Sequence, residues 1–135
     1  MILLIDGGQS DAAQHSLYKR LGGYDEIAAV IDDMFTAMRA DPAFARFGAG
    51  RSLDSHNRAR QLLVDQMCQL SGGPCVYIGR DMKTSHAGLG ITAAEWTCNM
   101  KHAEAALVGR DVAAAERAEF LGLFERYRDE IVEGG

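Results

Sequence analysis

The sequence is poor in proline, has no surplus of basic charge and has no long apolar run. Two of its 135 residues are proline, and 47% apolar against 24% charged residues is a globular balance that excludes wholesale disorder. Nineteen acidic residues outnumber fourteen basic ones, which gives a net charge of -5 with the signs mixed along the chain. Without a basic stripe, we expect no nucleic-acid partner.

The sequence also begins with only a short apolar run and contains only three cysteines. The apolar run at residues 1–5 is too short for a signal peptide or a membrane span, so we expect no membrane partner. The three cysteines, Cys68, Cys75 and Cys98, are odd in number and match no metal-ligand spacing. We therefore expect them to be reduced thiols in a protein with a cytoplasmic location.

Apolar residues spaced three and four positions apart predict four long helices. The first covers residues 24–39 and the second about 54–70, where the expected buried row is Ala59, Leu62, Leu63, Met67 and Leu70. The third opens at Thr92, which forms a capping-box pattern with Glu95, and the fourth follows Gly109 and continues to Ile131.

The segments between these helices are short or rich in glycine. Residues 16–21 predict one or two helical turns closed by Gly22 and Gly23, and residues 41–50 predict another short turn. The sequence 71–74 stops the second long helix, and residues 75–92 predict a loop with one brief helix. With no predicted strand, the fold class is all-α, and two crossed helix pairs could enclose a cavity.

Among the four histidines, His86 has the most informative surroundings. No pair of histidines has the spacing of a helical zinc motif, and neither a hydrolase serine motif nor a phosphate-binding glycine loop is present. His86 ends a predicted short helix and is followed by small residues and Gly90. An axial base with a backbone that stands clear of a flat macrocycle is what haem ligation requires.

Four motifs in order resemble the group I truncated haemoglobins. They are Leu21-Gly22-Gly23, Gly72-Gly73-Pro74, Met82-Lys83-x-x-His86 and Gly90-Ile91-Thr92. The resemblance implies a truncated globin domain at residues 16–132, preceded by an N-terminal extension at residues 1–15. It implies a two-over-two helical sandwich that binds haem b, with His86 as the proximal iron ligand.

The resemblance also implies which residues contact the haem. The expected apolar walls are Phe35, Phe47, Leu63, Met67, Tyr77, Met82, Ile91 and Trp96. Arg80 and Lys83 are expected to reach the propionates, although solvated basic residues are an equal alternative. For each wall residue the alternative is an ordinary core position.

The distal side departs from the common family pattern. Many group I members have a tyrosine where this chain has Phe35, and the facing row of the second long helix is apolar. Weak or oxidation-prone oxygen binding is therefore expected unless Gln61, Gln66 or His56 turns into the pocket. His56 has a second alternative as a sixth iron ligand, and His102 is interpreted as structural.

The function implied is reversible binding of O2, NO and CO at the haem iron, with oxygen transport as the related role. The alternative is a haem-dependent nitric-oxide dioxygenase or peroxidase-like enzyme. It would need a separate reductase, because the chain has no flavin or nicotinamide domain. A haem-free helical module is the third alternative.

Overall fold

The computed structural model describes residues 15–134, which form eight α-helices and one 3-10 turn. The helices are α1 (Leu17–Leu21), α2 (Tyr24–Ala40), α3 (Ala45–Gly48), α4 (Leu53–Leu70), α5 (Met82–His86), α6 (Ala93–Gly109), α7 (Ala114–Glu125) and α8 (Arg128–Ile131). The 3-10 turn is Pro42–Phe44. The extension predicted at residues 1–15 lies outside the described residues except for His15, as does Gly135.

Two helix pairs make the sandwich. Helix α2 packs against both α4 and α6, α6 packs against α7, and α1 joins the two pairs by contacting α2 and α7. The all-α prediction is confirmed: an isolated bridge between Thr92 and Gly134 is the only β pairing in residues 15–134. None of the helices in this range has the length and apolar character that crossing a membrane requires.

Local sequence explains where the long helices begin and end. Asp25 and Glu26 lie in the first turn of α2, where the helix dipole favours negative charge. The extended backbone of Asp41 ends α2, and Pro42 follows it. The capping box that opens α6 is confirmed: the Glu95 amide donates to Thr92 Oγ1 at 3.1 Å, and the Thr92 amide donates to Glu95 Oε1 at 2.9 Å.

The buried face of α4 differs from the predicted row. Met67 is buried as expected, but Val64 and Cys68 are the residues of α4 with no exposed surface. Ala59, Leu62, Leu63 and Leu70 are half-buried. The face that packs into the core is therefore rotated toward Val64 and Cys68, and the predicted row lies along its margin.

The last predicted helix is interrupted. Helix α7 ends at Glu125, and α8 starts at Arg128. At the junction the amide of Tyr127 donates to the carbonyl of Phe124 at 3.0 Å, three residues back. This tighter turn replaces the four-residue spacing of an α-helix, so Phe120 and Ile131 lie on separate helices.

The expectation of three reduced cysteines was wrong for two of them. Cys68 and Cys75 form a disulfide bond, and Cys98 remains free. Gly72 has a φ of +98°, and the Gly73 amide donates to the Cys68 carbonyl at 2.8 Å, so the chain reverses at the end of α4. A Cβ atom at Gly73 would lie 2.4 Å from Tyr18 Cδ1. The absence of a side chain at this position lets the chain return Cys75 to α4.

Replacement of Cys75 by serine should lower the free energy of unfolding by about 2–3 kcal/mol, because the disulfide closes a short loop and restricts the unfolded chain. Urea unfolding followed by circular dichroism measures the change. A non-metal-binding reductant should lower wild-type stability equally and leave Cys75→Ser unchanged. Equal stability of the oxidised wild type and the variant would contradict this account of the bond.

Candidate functional site

Helix α5 carries His86 at its C-terminal end. The helix is only five residues long, and its first turn is closed by Asp81, whose Oδ1 accepts a hydrogen bond from the Thr84 amide at 2.9 Å. Met82, the first residue of the helix, is buried at 8% exposure. The buried methionine and the cap therefore fix the helix, although it is too short to be stable by itself.

The His86 ring is oriented by a backbone carbonyl. Nδ1 lies 2.9 Å from the Met82 carbonyl oxygen and 2.9 Å from Ser85 Oγ. Donation from Nδ1–H to the Met82 carbonyl places the lone pair of a neutral imidazole on Nε2. No group in residues 15–134 forms a hydrogen bond with Nε2. An imidazole held in this way is ready to ligate a metal through Nε2.

The backbone after His86 is held from two sides. On one side, the Glu133 carboxylate accepts hydrogen bonds from the backbone amides of Gly88, at 3.1 Å, and Gly90, at 2.8 Å. These two hydrogen bonds are the main reason why the pKa of Glu133 is lowered. On the other side, Arg46 donates to the Leu89 carbonyl at 2.8 Å and the Gly90 carbonyl at 3.1 Å.

An apolar cluster packs next to α5. Its buried members are Met82, Trp96 and Ile131, and the half-buried side chains around it include Tyr77 and Ile91. Four of the predicted haem walls, Tyr77, Met82, Ile91 and Trp96, are therefore brought together. The Tyr77 hydroxyl donates to the Arg80 carbonyl, and burial raises the pKa of Tyr77.

The other predicted wall residues lie elsewhere in the fold. Phe35, Leu63 and Met67 belong to the main core around α2 and α4, and Phe124 packs against both clusters. Phe47 lies on α3, where its ring is 6.1 Å from that of Phe44. The two basic residues assigned to the propionates, Arg80 and Lys83, are exposed.

A cavity of about 510 Å³ separates parts of α2 and α4. Its walls include Phe35, His56 and Gln61, but no residue of α5. The Gln61 amide nitrogen donates to the Tyr24 hydroxyl at 2.8 Å and to Asp65 Oδ1 at 3.2 Å, so both of its hydrogens have acceptors. Gln66 is buried in α4 at 7% exposure. Of the three polar residues considered for the distal side, His56 and Gln61 thus share a cavity with Phe35.

Sequence reasoning missed the residues that hold the histidine segment. The Asp81 cap could have been found, since aspartate directly before an apolar residue such as Met82 is a helix-start pattern. Arg46 and Glu133 gave no such signal, because each is more than 40 residues from the backbone that it binds. Their role depends on how α3 and the C-terminal segment pack.

The donor set at α5 fits a haem group. Neutral imidazole is a good ligand for iron, and the hydrogen bond from Nδ1 is the outer contact that such ligands usually have. The adjacent surface is apolar and aromatic, as a porphyrin face requires. A two-helix-over-two-helix sandwich with such a histidine defines the class of truncated globins.

Comparisons with known proteins agree with this class. The model of the family described as bacterial-like globin matches residues 16–133. The group 1 truncated hemoglobin GlbN of Mycolicibacterium paratuberculosis is 29% identical over 88% of this chain and 85% of its own. The protein of the same name from a Nostoc species is 31% identical over 75% of this chain and 83% of its own.

A solved structure shows the same fold. A variant of the truncated hemoglobin from Tetrahymena pyriformis, in its Fe(III) form, superposes with a TM-score of 0.79 over 87% of this chain and 97% of its own, at 23% identity. The chain belongs to the bacterial-like globin family, and its fold is that of the truncated two-over-two globins. Membership of this family implies a haem cofactor and diatomic gas ligands.

Replacement of Glu133 by glutamine should destabilise the protein at neutral pH but not in acid. The lowered pKa means that ionised Glu133 stabilises the fold above its ordinary pKa of 4.5, and that this contribution disappears as the pH falls through the lowered value. Urea unfolding of both proteins between pH 3 and 7 measures the difference. Glu130→Gln, at an exposed position of α8, is the matched control. A difference that is the same at every pH would contradict this role.

Proposed function

We propose that the protein binds haem b through Nε2 of His86 and reversibly binds O2, NO and CO. The observation that carries the proposal is the hydrogen bond between His86 Nδ1 and the Met82 carbonyl, which leaves Nε2 as the free ligand atom. Bound haem would supply an iron atom that can bind a diatomic gas. The residues of the chain fix the imidazole, cover the macrocycle and set the polarity of the surroundings of the gas.

The His86 side of the proposed pocket is built for positioning. Asp81 caps the helix that carries the histidine, while Glu133 and Arg46 hold the turn after it. Fixing the backbone on both sides limits how far the imidazole can move. Trp96 and Met82 supply the apolar surface that excludes water on this side.

The gas-binding side of the proposed pocket lacks a donor at its expected position. Phe35 has no hydroxyl group, and both hydrogens of the Gln61 amide have acceptors. Of the two glutamines and the histidine considered as donors, His56 is the one that remains on the cavity wall beside Phe35, where Asp32, Arg39, Asn57 and Arg60 are the other polar wall residues. A hydrogen bond to a strongly polarised acceptor is worth about 1.5–3 kcal/mol, so its absence favours rapid gas release.

This arrangement supports reversible binding more than an oxidative enzyme. Peroxidase-like chemistry needs a positioned acid or base. Phe35 supplies neither acid nor base at the position where the common pattern places a tyrosine, and the His56 ring on the same wall has no hydrogen bond within residues 15–134 that would position it. An oxygen-transport role remains part of the proposal, and so does a cytoplasmic location, for which the Cys68–Cys75 bond removes the reduced-thiol argument. A separate reductase has no support among the observations.

Replacement of His86 by glycine should abolish stable haem ligation, because it removes the proposed ligand nitrogen. Added imidazole should restore uptake and the ferrous spectrum by occupying the vacated position. Titration of haem into the protein, followed by visible absorption, measures both effects. His56→Ala is the control and should take up haem like the wild type. Normal ligation in His86→Gly, unaffected by imidazole, would overturn the proposal.

Replacement of Phe35 by tyrosine should slow oxygen release roughly tenfold to a hundredfold, since it adds the missing donor at the same ring position. Stopped-flow measurement of the oxygen dissociation rate provides the test. Phe35→Leu, which changes the ring without adding a donor, should not slow release. Equal rates in wild type and Phe35→Tyr would show that this side chain does not face the gas.

A further inference from the structure

Three potential metal ligands other than His86 meet where α2 ends beside α6. Cys98 and His102 are four residues apart on α6, so they lie on the same side of the helix. Asp41 follows the last residue of α2 and faces them. Asp41 Oδ2 lies 2.8 Å from His102 Nε2 and 3.5 Å from Cys98 Sγ, and the three ligand atoms all lie within 4.8 Å of one another.

These separations are close to those of a tetrahedral zinc site. Zinc bonds of about 2.3 Å to sulfur and about 2.0–2.1 Å to nitrogen or oxygen put tetrahedral ligands roughly 3.5 Å apart for sulfur and oxygen. Nitrogen and oxygen come to roughly 3.3 Å by the same geometry. The Cys98–Asp41 separation already matches, and the His102–Asp41 pair would need to open by only about 0.5 Å.

The ligand atoms are oriented by their surroundings. Asp41 Oδ1 accepts the Ala43 amide at 3.0 Å, which leaves Oδ2 directed at the cluster. The His102 ring packs edge-on against Phe44, with the ring centroids 5.8 Å apart. All three ligand side chains are half-buried, so the position is sheltered but open to an ion from solvent. A metal site requires ligands that are held in position and a path by which the ion can enter.

The charges and donor types favour a borderline-soft divalent cation. Asp41 supplies a carboxylate oxygen, Cys98 a sulfur and His102 a ring nitrogen. One sulfur, one nitrogen and one oxygen ligand suit Zn²⁺, whereas Mg²⁺ and Ca²⁺ prefer oxygen ligands alone.

We propose that Asp41, Cys98 and His102 form a binding site for Zn²⁺ that does not use His86, with a fourth coordination position open to water. Binding forms metal bonds to Oδ2, Sγ and Nε2. The Cys98 thiol loses its proton to solvent, any proton on His102 Nε2 is displaced to Nδ1 or to solvent, and no oxidation state changes. The thiolate and carboxylate together neutralise the ion. The ion would connect the end of α2 to α6.

Zinc binding to the full-length, haem-loaded protein tests the site. After chelator treatment and dialysis, Zn²⁺ should bind with one ion per chain retained, and an excess of Mg²⁺ should not displace it. Zinc K-edge X-ray absorption is selective for zinc in the presence of haem iron, and should show one sulfur at about 2.3 Å. Because Cys98 is the only free cysteine in the described range, that sulfur identifies it. Bound zinc should also raise the melting temperature.

Two variants distinguish zinc binding at Asp41, Cys98 and His102 from zinc binding elsewhere on the protein. Cys98→Ser should remove the sulfur signal and weaken zinc binding at least about a hundredfold, since even outer-shell partners contribute 10–100-fold to metal affinity. Glu104→Gln, which changes an exposed carboxylate on the same helix, should leave binding unchanged. Haem absorption and circular dichroism of Cys98→Ser should match the wild type.

Two results would overturn the proposal. One is a wild-type protein that retains no zinc, or whose zinc has only nitrogen and oxygen neighbours. The other is zinc affinity unchanged by Cys98→Ser. The wild-type absorption measurement needs no variant, so the proposal can fail even if Cys98→Ser does not fold.

Discussion

The hydrogen bond between His86 and the Met82 carbonyl is the interaction on which the proposed function depends. It sets both the orientation and the tautomer of the imidazole, since the nitrogen that donates to the carbonyl cannot also ligate a metal. The bond joins the first and last residues of α5, so a five-residue helix is the smallest unit that supplies it. The rest of the site either fixes this helix or covers the surface beside it.

The surrounding fold positions α5 through contacts that are distant in sequence. Glu133 follows α8 and binds the backbone after His86, while Arg46 does the same from α3. Helix α8 also packs directly against α5. The histidine segment is therefore fixed by the C-terminal part of the chain and by the turn after α2, whereas the proposed gas-binding wall is built from α2 and α4.

Local patterns in the sequence predicted the helices and failed where distant contacts decide the outcome. The apolar spacing of α2 and the Thr92–Glu95 capping box depend on residues within one or two turns, so both were predictable. The Cys68–Cys75 bond depends on how the chain reverses at Gly72 and Gly73, and the odd number of cysteines concealed it. His102 was interpreted as structural, and its contact with Asp41, 61 residues away, could not be predicted from spacing. The predicted haem contacts likewise fall into two groups. Those near α5 form one apolar cluster, and those on α2 and α4 lie in the main core.

A crystal structure of the haem-loaded protein tests the central claim most directly. The account predicts that Nε2 of His86 coordinates the iron while Nδ1 keeps its hydrogen bond to the Met82 carbonyl, with Trp96 and Met82 against the porphyrin. Iron held by His56 or another side chain, with His86 turned away from the macrocycle, would contradict it.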